Sequence, residues 1–160
     1  MSSNTLTVKG IILTSDEYKE KDRLLSILTA EHGILRVCAK GTGSSKSKNS
    51  FLSIPYVLCD FTLTDSHGFW YVKDALIIES NSGIMSSLEA MAVASHMAEL
   101  LEKSVFQSEV SSEAYKLTVY GYYALGINPH KYAVIYSAFN LRLLMMSGFA
   151  VEYTHCNHCS

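Results

Sequence analysis

The sequence predicts an α+β protein in which a small five-stranded β-barrel or sandwich precedes a small helical domain. Two observations lead to this prediction. Residues 1–80 contain five short runs rich in β-branched, aliphatic and aromatic residues, with turn-forming residues between them. Beyond residue 80, apolar residues recur at helical spacing. Of the 160 residues, 48% are hydrophobic and 18% are charged, which is enough apolar material for a packed core.

The predicted strands follow one another with short connections. A charged turn over 16–22 separates the first two, and Gly33, which can adopt positive φ, closes the next corner. In the fourth run apolar and polar residues alternate, as is typical of a strand with one buried face. The five predicted strands are 6–14, 23–29, 34–40, 57–64 and 69–79.

Three helices are predicted in the second half. Ser86 and Glu89 fit a capping box, in which each side chain accepts a hydrogen bond from the other residue's backbone N–H. A second helix is predicted over 112–125, with Gly126 just past its end. A third follows Asn128–Pro129 and ends near Gly148. The first helix is expected to bury Leu88, Met91, Ser95, Ala98 and Leu101, and the third to bury Tyr132, Ile135, Tyr136, Phe139, Leu143 and Met146.

The segment "RVCAKGTGSSKSKNS" over 36–50 holds four basic residues and no acidic one, in a chain of net charge -2. It is not a Walker-type phosphate loop, because the positions that require Gly hold Lys40 and Ser45. Two interpretations remain open. The cations contact a nucleic-acid backbone, where Lys and Arg neutralise phosphates, or they belong to a solvated hairpin loop and serve solubility.

Aromatic residues are frequent in and around the predicted strands. Unpaired bases stack on such rings, although most of them must lie in the core. Since neighbouring residues of a strand face opposite sides, either Trp70 or the pair Phe69 and Tyr71 is expected to point outward. The six aromatic residues are Phe51, Tyr56, Phe61, Phe69, Trp70 and Tyr71.

The four cysteines fall into two groups. Cys38 and Cys59 lie in strand-like runs and are expected to be buried thiols. Cys156 and Cys159 form a C-x-x-C pair beside His155, a spacing with which two thiolates can hold one Zn²⁺. A tail with free thiols is the alternative.

Other classes of protein find little support. No apolar run reaches the roughly 18 residues of a membrane span, and the N-terminus lacks the features of a signal peptide, so a cytoplasmic protein is expected. The sequence contains no G-x-S-x-G or H-E-x-x-H motif and no obvious carboxylate pair flanking a Gly-rich turn. We therefore do not expect an enzyme.

Four motifs in order resemble the N-terminal signature of the bacterial RecO family. They are "KGIIL" at 9–13, "EKDR" at 20–23, "TAEHG" at 29–33 and "AKG" at 39–41, followed by the basic loop. Weaker similarity continues through "EAMAVASHMAELLEK", "FNLRLLMMSGF" and the cysteine pair, so that it covers nearly the whole chain.

The resemblance implies an N-terminal OB-fold over 1–80, a helical domain over 81–150 and a zinc element that begins at 151–160. The family generally has two C-x-x-C pairs and further helices, so this chain is expected to be truncated and its metal ligands, Cys156 and Cys159, to form a partial zinc site. The family's DNA-contacting role is carried onto matching basic positions. The expected DNA-binding residues are Lys40, Lys46 and Lys48, together with Arg23 and Arg36.

The resemblance also implies a DNA repair and recombination mediator that acts on single- and double-stranded DNA. Such proteins anneal complementary strands and, with RecR, help to load RecA onto DNA coated by single-strand-binding protein. A cytoplasmic, nucleoid-associated location follows, with no membrane partner. Two other functions remain open: a protein-interaction module that docks RecR or single-strand-binding protein without touching DNA, and a nuclease, which would shorten DNA in a metal-dependent way.

Overall fold

The computed structural model describes residues 4–43, 47–104 and 112–149. Five strands precede three helices within these residues, so the predicted α+β class is confirmed. The strands are β1 (Thr5–Tyr18), β2 (Asp22–Thr29), β3 (Gly33–Ala39), β4 (Leu58–Ser66) and β5 (Phe69–Glu79). The helices are α1 (Leu88–Ser104), α2 (Ser112–Ile127) and α3 (Tyr132–Met146).

The five strands close into a barrel in the order β1-β2-β3-β5-β4. All neighbours are antiparallel except β3 and β5, which run parallel and pair through Val37 with Trp70 and Cys38 with Tyr71. A five-stranded barrel of this kind is the OB-fold architecture. Of the two architectures that the sequence allowed, the strands form the barrel and not the sandwich.

Alternation along β1 divides the apolar residues between two cores. Ile12 points into the barrel, whereas its neighbours Ile11 and Leu13 point outward and pack under the helices together with Leu28 of β2. The barrel core also contains Val8, Leu25, Ile27, Val37, Cys59, Phe61 and Leu63. The second core also contains Met97, Leu101, Tyr122, Leu125 and Phe139. The helices therefore cover the outer side of β1 and β2.

The charged turn is shorter than the sequence predicted. β1 continues through Tyr18, which pairs with Asp22 at the start of β2, and residues 19–21 make the turn. Lys19 adopts a φ of 60° there. Cross-strand pairing thus extends β1 and β2 beyond their predicted ends, although the charged sequence of this region did not indicate strands.

The cap of α1 lies one residue later than predicted. The hydroxyl oxygen of Ser87 accepts a hydrogen bond from the backbone N–H of Ala90 at 3.2 Å, and its O–H donates to Glu89 at 2.8 Å. Ser86 instead donates to the carbonyl of Gly83.

The buried face of α1 also differs from the prediction. Leu88 and Ser95 are exposed, because the short side chains of Ala90 and Ala94 face the core in their place. Met91 is half-buried and packs at the margin of the core, and the other buried residues are Met97, Ala98 and Leu101.

The predicted end of α2 at Gly126 is wrong, since the helix runs through Ile127. Gly126 is small for another reason: a Cβ there would lie 3.2 Å from the Cα of Asn81. The backbone of Gly83 approaches from the same side, and a Cβ on Gly83 would lie 1.8 Å from the Gly126 carbonyl oxygen. The predicted end of α3 is confirmed. Gly148 has a φ of +86° and donates to the carbonyl of Met145, while Phe149 donates to that of Leu144.

None of the helices in the described ranges has the length and apolar character needed to cross a membrane.

The contact between Gly83 and Gly126 yields a stability prediction. Gly83→Ala should lower the free energy of unfolding by about 1–3 kcal/mol, because the added methyl group collides with backbone that must move. Ser82→Ala, at the exposed neighbouring position, should change it by less than about 0.5 kcal/mol. Urea unfolding followed by circular dichroism measures both, and equal midpoints for the two variants would contradict the prediction.

Candidate nucleic-acid interface

The outer side of β3 and β5 carries both cations and aromatic rings. Val37 and Ala39 of β3 belong to the barrel core, so the residues between and beside them point outward. On β5, Trp70 and Val72 pack against the barrel core. We call this surface the β3–β5 face and define it by Arg36, Lys40, Phe69 and Tyr71.

The orientation of β5 decides which aromatic residues point outward. Because Trp70 turns toward the barrel core, the pair Phe69 and Tyr71 lies on the outer side. Their ring centroids are 5.5 Å apart, with the planes at 67° in an edge-to-face arrangement. Each ring therefore restrains the other and presents a fixed aromatic surface next to β3.

Lys40 lies against this aromatic pair. Its Nζ is 4.4 Å from the centroid of the Tyr71 ring, a cation–π contact. The parallel register brings the two residues together, since Cys38, two positions before Lys40, pairs with Tyr71. A cation and an aromatic ring from strands far apart in sequence thus occupy one site.

Hydrogen bonds hold the chain just after Lys40 in place. The backbone N–H of Gly41 donates to the Asp22 carboxylate at 2.9 Å, and that of Gly43 donates to the carbonyl of Lys21 at 3.0 Å. Gly41 adopts a φ of +68°, which glycine tolerates without strain. The start of the basic loop is therefore tied to the turn between β1 and β2, and this contact positions Lys40.

Arg36 shares the β3–β5 face with Lys40. It is exposed, and its backbone pairs with Ser26 of β2. Across the part of the chain that the structure describes, no carboxylate forms an ion pair with Arg36 or Lys40. These two predicted cations are available to an external anion.

The other predicted cations have different surroundings. Lys48 lies 3.5 Å from the carboxylate of Asp74, with both side chains well exposed. Arg23 lies 3.5 Å from Glu17, and only 23% of its side chain is exposed. Exposed pairs of this kind contribute about 0–1 kcal/mol, so that of Lys48 can readily exchange for a phosphate. Lys46 lies outside the described residues.

The charge of the barrel is balanced overall. Residues 1–80 contain nine basic and nine acidic side chains. The positive character of the β3–β5 face is consequently local, and it arises because Arg36 and Lys40 form no ion pair with a described carboxylate. Counting charges along the sequence did not reveal that Lys48 pairs with Asp74 of β5 and Arg23 with Glu17 of β1.

The two cysteines of the barrel are buried thiols, as the sequence predicted. Burial raises the pKa of the Cys59 thiol to about 12. Burial also raises the pKa of Cys38, with a smaller contribution from Asp22, while Lys40 opposes the shift. Both are protonated at neutral pH. The described ranges contain no group of three or more His, Cys, Asp or Glu side chains placed to hold a metal ion, and Cys156 and Cys159 lie outside them.

A second candidate site, which the sequence analysis missed, is the α2–α3 groove. It encloses about 530 Å³ between the two helices. Among the described residues, the cations Lys116 and Arg142 line it together with apolar side chains, and Glu113 is the single acidic lining residue. The remaining lining residues are Leu117, Tyr120, Met145 and Met146. The sequence does contain basic residues next to apolar ones on two predicted helices. Only the packing of α2 against α3, however, brings these residues together in one groove.

Comparison with known proteins gives consistent matches along the chain. The family model described as "Recombination protein O N terminal" matches residues 1–81, and "Recombination protein O C terminal" matches residues 85–160. A protein of Clostridium perfringens named "DNA repair protein RecO" is 30% identical over 150 residues, which cover 94% of this chain and 61% of that protein.

Two Bacillus proteins with the same name are similar. Those of Bacillus pumilus and Bacillus subtilis are each 27% identical, over 151 and 153 residues, which cover 94% of this chain and 59% of each relative. The chain thus spans about three fifths of the length of these relatives.

The anchoring of Lys40 yields a second prediction. Asp22→Ala should lower the free energy of unfolding by about 1.5–3 kcal/mol, because the Gly41 N–H loses its charged acceptor. Glu20→Ala, an exposed acidic residue of the same turn, is the matched control and should have little effect. Hydrogen exchange followed by NMR should show faster exchange of the Gly41 amide in Asp22→Ala alone. Unchanged exchange would contradict the anchoring role.

Proposed function

Because this chain belongs to the RecO family of DNA repair proteins, we propose that it binds single- and double-stranded DNA and anneals complementary strands. We propose further that, with RecR, it helps to load RecA onto DNA coated by single-strand-binding protein. The observation that supports DNA binding most directly is the β3–β5 face, where Arg36 and Lys40 form no ion pair with any described carboxylate and lie beside the rings of Phe69 and Tyr71.

Annealing requires charge neutralisation and no covalent chemistry. Two DNA strands repel each other through their phosphates, and cations on a protein surface reduce this repulsion by replacing condensed counterions. The outer surface of a barrel is open and accommodates an extended strand. We therefore propose a binding and annealing protein and not an enzyme.

The ion pairs of the barrel fit this proposal as exchangeable contacts. Lys48 would leave Asp74 for a phosphate at little cost, since both side chains are exposed. Lys46, two residues before it, would follow the same strand. Arg23 is less accessible and would contribute mainly to the local potential. Cytoplasmic, nucleoid-associated localisation would follow from the DNA partner.

Zinc binding by Cys156 and Cys159 also remains a prediction. Two thiolates at this spacing match half of a tetrahedral zinc site, which would hold the end of the chain in place. The proposed DNA contacts do not depend on it.

The DNA-binding proposal predicts a specific salt dependence. Replacing Arg36 and Lys40 with Ala should weaken binding of single-stranded DNA and reduce the slope of log affinity against log salt by about 0.7 per lost phosphate contact. Lys103→Ala combined with Lys131→Ala removes the same charge from exposed positions of the helical domain and is the matched control. Fluorescence anisotropy across a salt series measures both.

Two outcomes would contradict the DNA-binding proposal. If the Arg36 and Lys40 variant keeps the parent's affinity and slope, or if the Lys103 and Lys131 control loses as much as it does, the β3–β5 face is not the DNA-binding surface.

The α2–α3 groove favours a second function, docking of a protein partner. Lys116 and Arg142 beside apolar Met145 suit an acidic segment that also carries a large apolar side chain. The family resemblance places the site for the tail of single-strand-binding protein on the helical domain, and this groove is our candidate for it. In this function the barrel need not touch DNA.

Docking predicts an effect that is separable from DNA binding. Lys116→Glu combined with Arg142→Glu should weaken binding of single-strand-binding protein at least tenfold in calorimetric titration, because two favourable charges become repulsive. Binding of naked single-stranded DNA should change little. Lys103→Glu combined with Lys131→Glu makes the same change of net charge at exposed positions outside the groove, and equal losses in the two proteins would exclude the groove.

A further inference from the structure

We propose that the β3–β5 face holds one unpaired base of single-stranded nucleic acid, stacked on the ring of Tyr71 in place of the Lys40 ammonium. Lys40 then contacts a neighbouring phosphate. The inference rests on the proposed DNA binding and adds a base subsite to it.

The Tyr71 ring is preorganised for stacking. Phe69 contacts it edge-to-face, with the ring planes at 67°, so one side of the ring is supported by another aromatic side chain. Tyr71 is neither buried in the core nor freely solvated. A ring held in this way loses little conformational entropy when a ligand stacks on it.

The position of Lys40 marks the accessible face of the ring. Its ammonium lies 4.4 Å from the ring centroid, so a group from solvent reaches this face of Tyr71. Lys40 itself is exposed, and its flexible stem allows the ammonium to move aside while its backbone stays where the neighbouring Gly41 anchors it. The contact therefore keeps the stacking position occupied by a replaceable cation.

Replacing the Lys40 ammonium with a base on the Tyr71 ring is energetically favourable. A base stacks on an aromatic side chain more strongly than an ammonium group binds to the same ring at an exposed site. The displaced ammonium in turn gains a phosphate contact. The net gain favours the nucleotide, although each contact remains weak enough to reverse.

The subsite distinguishes single strands from duplexes. In a duplex each base is already stacked and paired, and a single stacking contact with Tyr71 does not offset the cost of extruding the base. A duplex would therefore be held by the cations alone. When two strands anneal, pairing would withdraw the base from Tyr71 and weaken the protein's hold on the product.

Three probes test the subsite. They are an oligothymidylate of about 12 nucleotides, within the usual site size of an OB-fold, an abasic oligomer with the same number of phosphates, and a duplex of the same length. The parent should bind the oligothymidylate about tenfold more tightly than the abasic oligomer in fluorescence anisotropy, as about 1.4 kcal/mol of stacking implies.

Variants of Tyr71 test the contribution of its aromatic ring to binding. Tyr71→Leu should lose this tenfold preference and bind the abasic oligomer and the duplex as the parent does, whereas Tyr71→Phe should keep the preference. Tyr123→Leu makes the same change at an exposed tyrosine of α2 and should behave as the parent. Lys40→Met should lower the salt slope for all three probes and keep the preference for the oligothymidylate.

The outcomes separate this inference from the proposed function. If the parent binds the abasic oligomer and the oligothymidylate equally, or if Tyr71→Leu weakens all three probes alike, the base subsite is wrong and DNA binding through phosphates stands. If the parent binds none of the probes at low salt, both are wrong.

Discussion

The parallel pairing of β3 with β5 is the constraint on which the rest of the site depends. It joins the two strands through Val37 with Trp70 and Cys38 with Tyr71. This register closes the barrel, and it also places Lys40, the residue after β3, beside the aromatic residues at the start of β5. Had β5 shifted by one residue, Trp70 would face outward and the cation would lose its ring, because a shift of one residue exchanges the two faces of a strand. The strand pairing that closes the barrel therefore also determines which side chains form the β3–β5 face.

The helices determine which side of the barrel stays open. Ile11 and Leu13 on β1 and Leu28 on β2 point outward, and as apolar residues they require cover, which the helical core provides. Its packing includes the rings of Tyr56 and Tyr122, whose centroids are 5.0 Å apart. The β3–β5 face lies farther round the barrel and carries charged and aromatic residues that can remain in water. The division of β1 between two cores thus leaves a face free for a ligand.

The sequence predicted the strands and helices well because alternation and helical periodicity are local properties. It could not decide between Trp70 and Tyr71 as the outward ring, since that depends on how a distant strand closes the barrel. It missed the pairing of Lys48 with Asp74 for the same reason, as 26 residues separate them. The capping box was misplaced by one residue because Ser86 and Ser87 are equivalent by composition, and the core selected the register of α1 that buries Ala90 and Ala94.

The balanced charge of the barrel fits the proposed annealing role better than a strongly basic surface would. A surface with many free cations would bind single strands and duplexes tightly and would release the annealed product slowly, since affinity rises with each neutralised phosphate. Here Arg36 is accompanied by Lys48, which must first leave Asp74, and by Lys40, which must first leave Tyr71. The DNA contacts of these two lysines thus replace contacts within the protein, so the net gain from each of them is small. Weak, exchangeable contacts let the strands search for their complementary register while they remain bound.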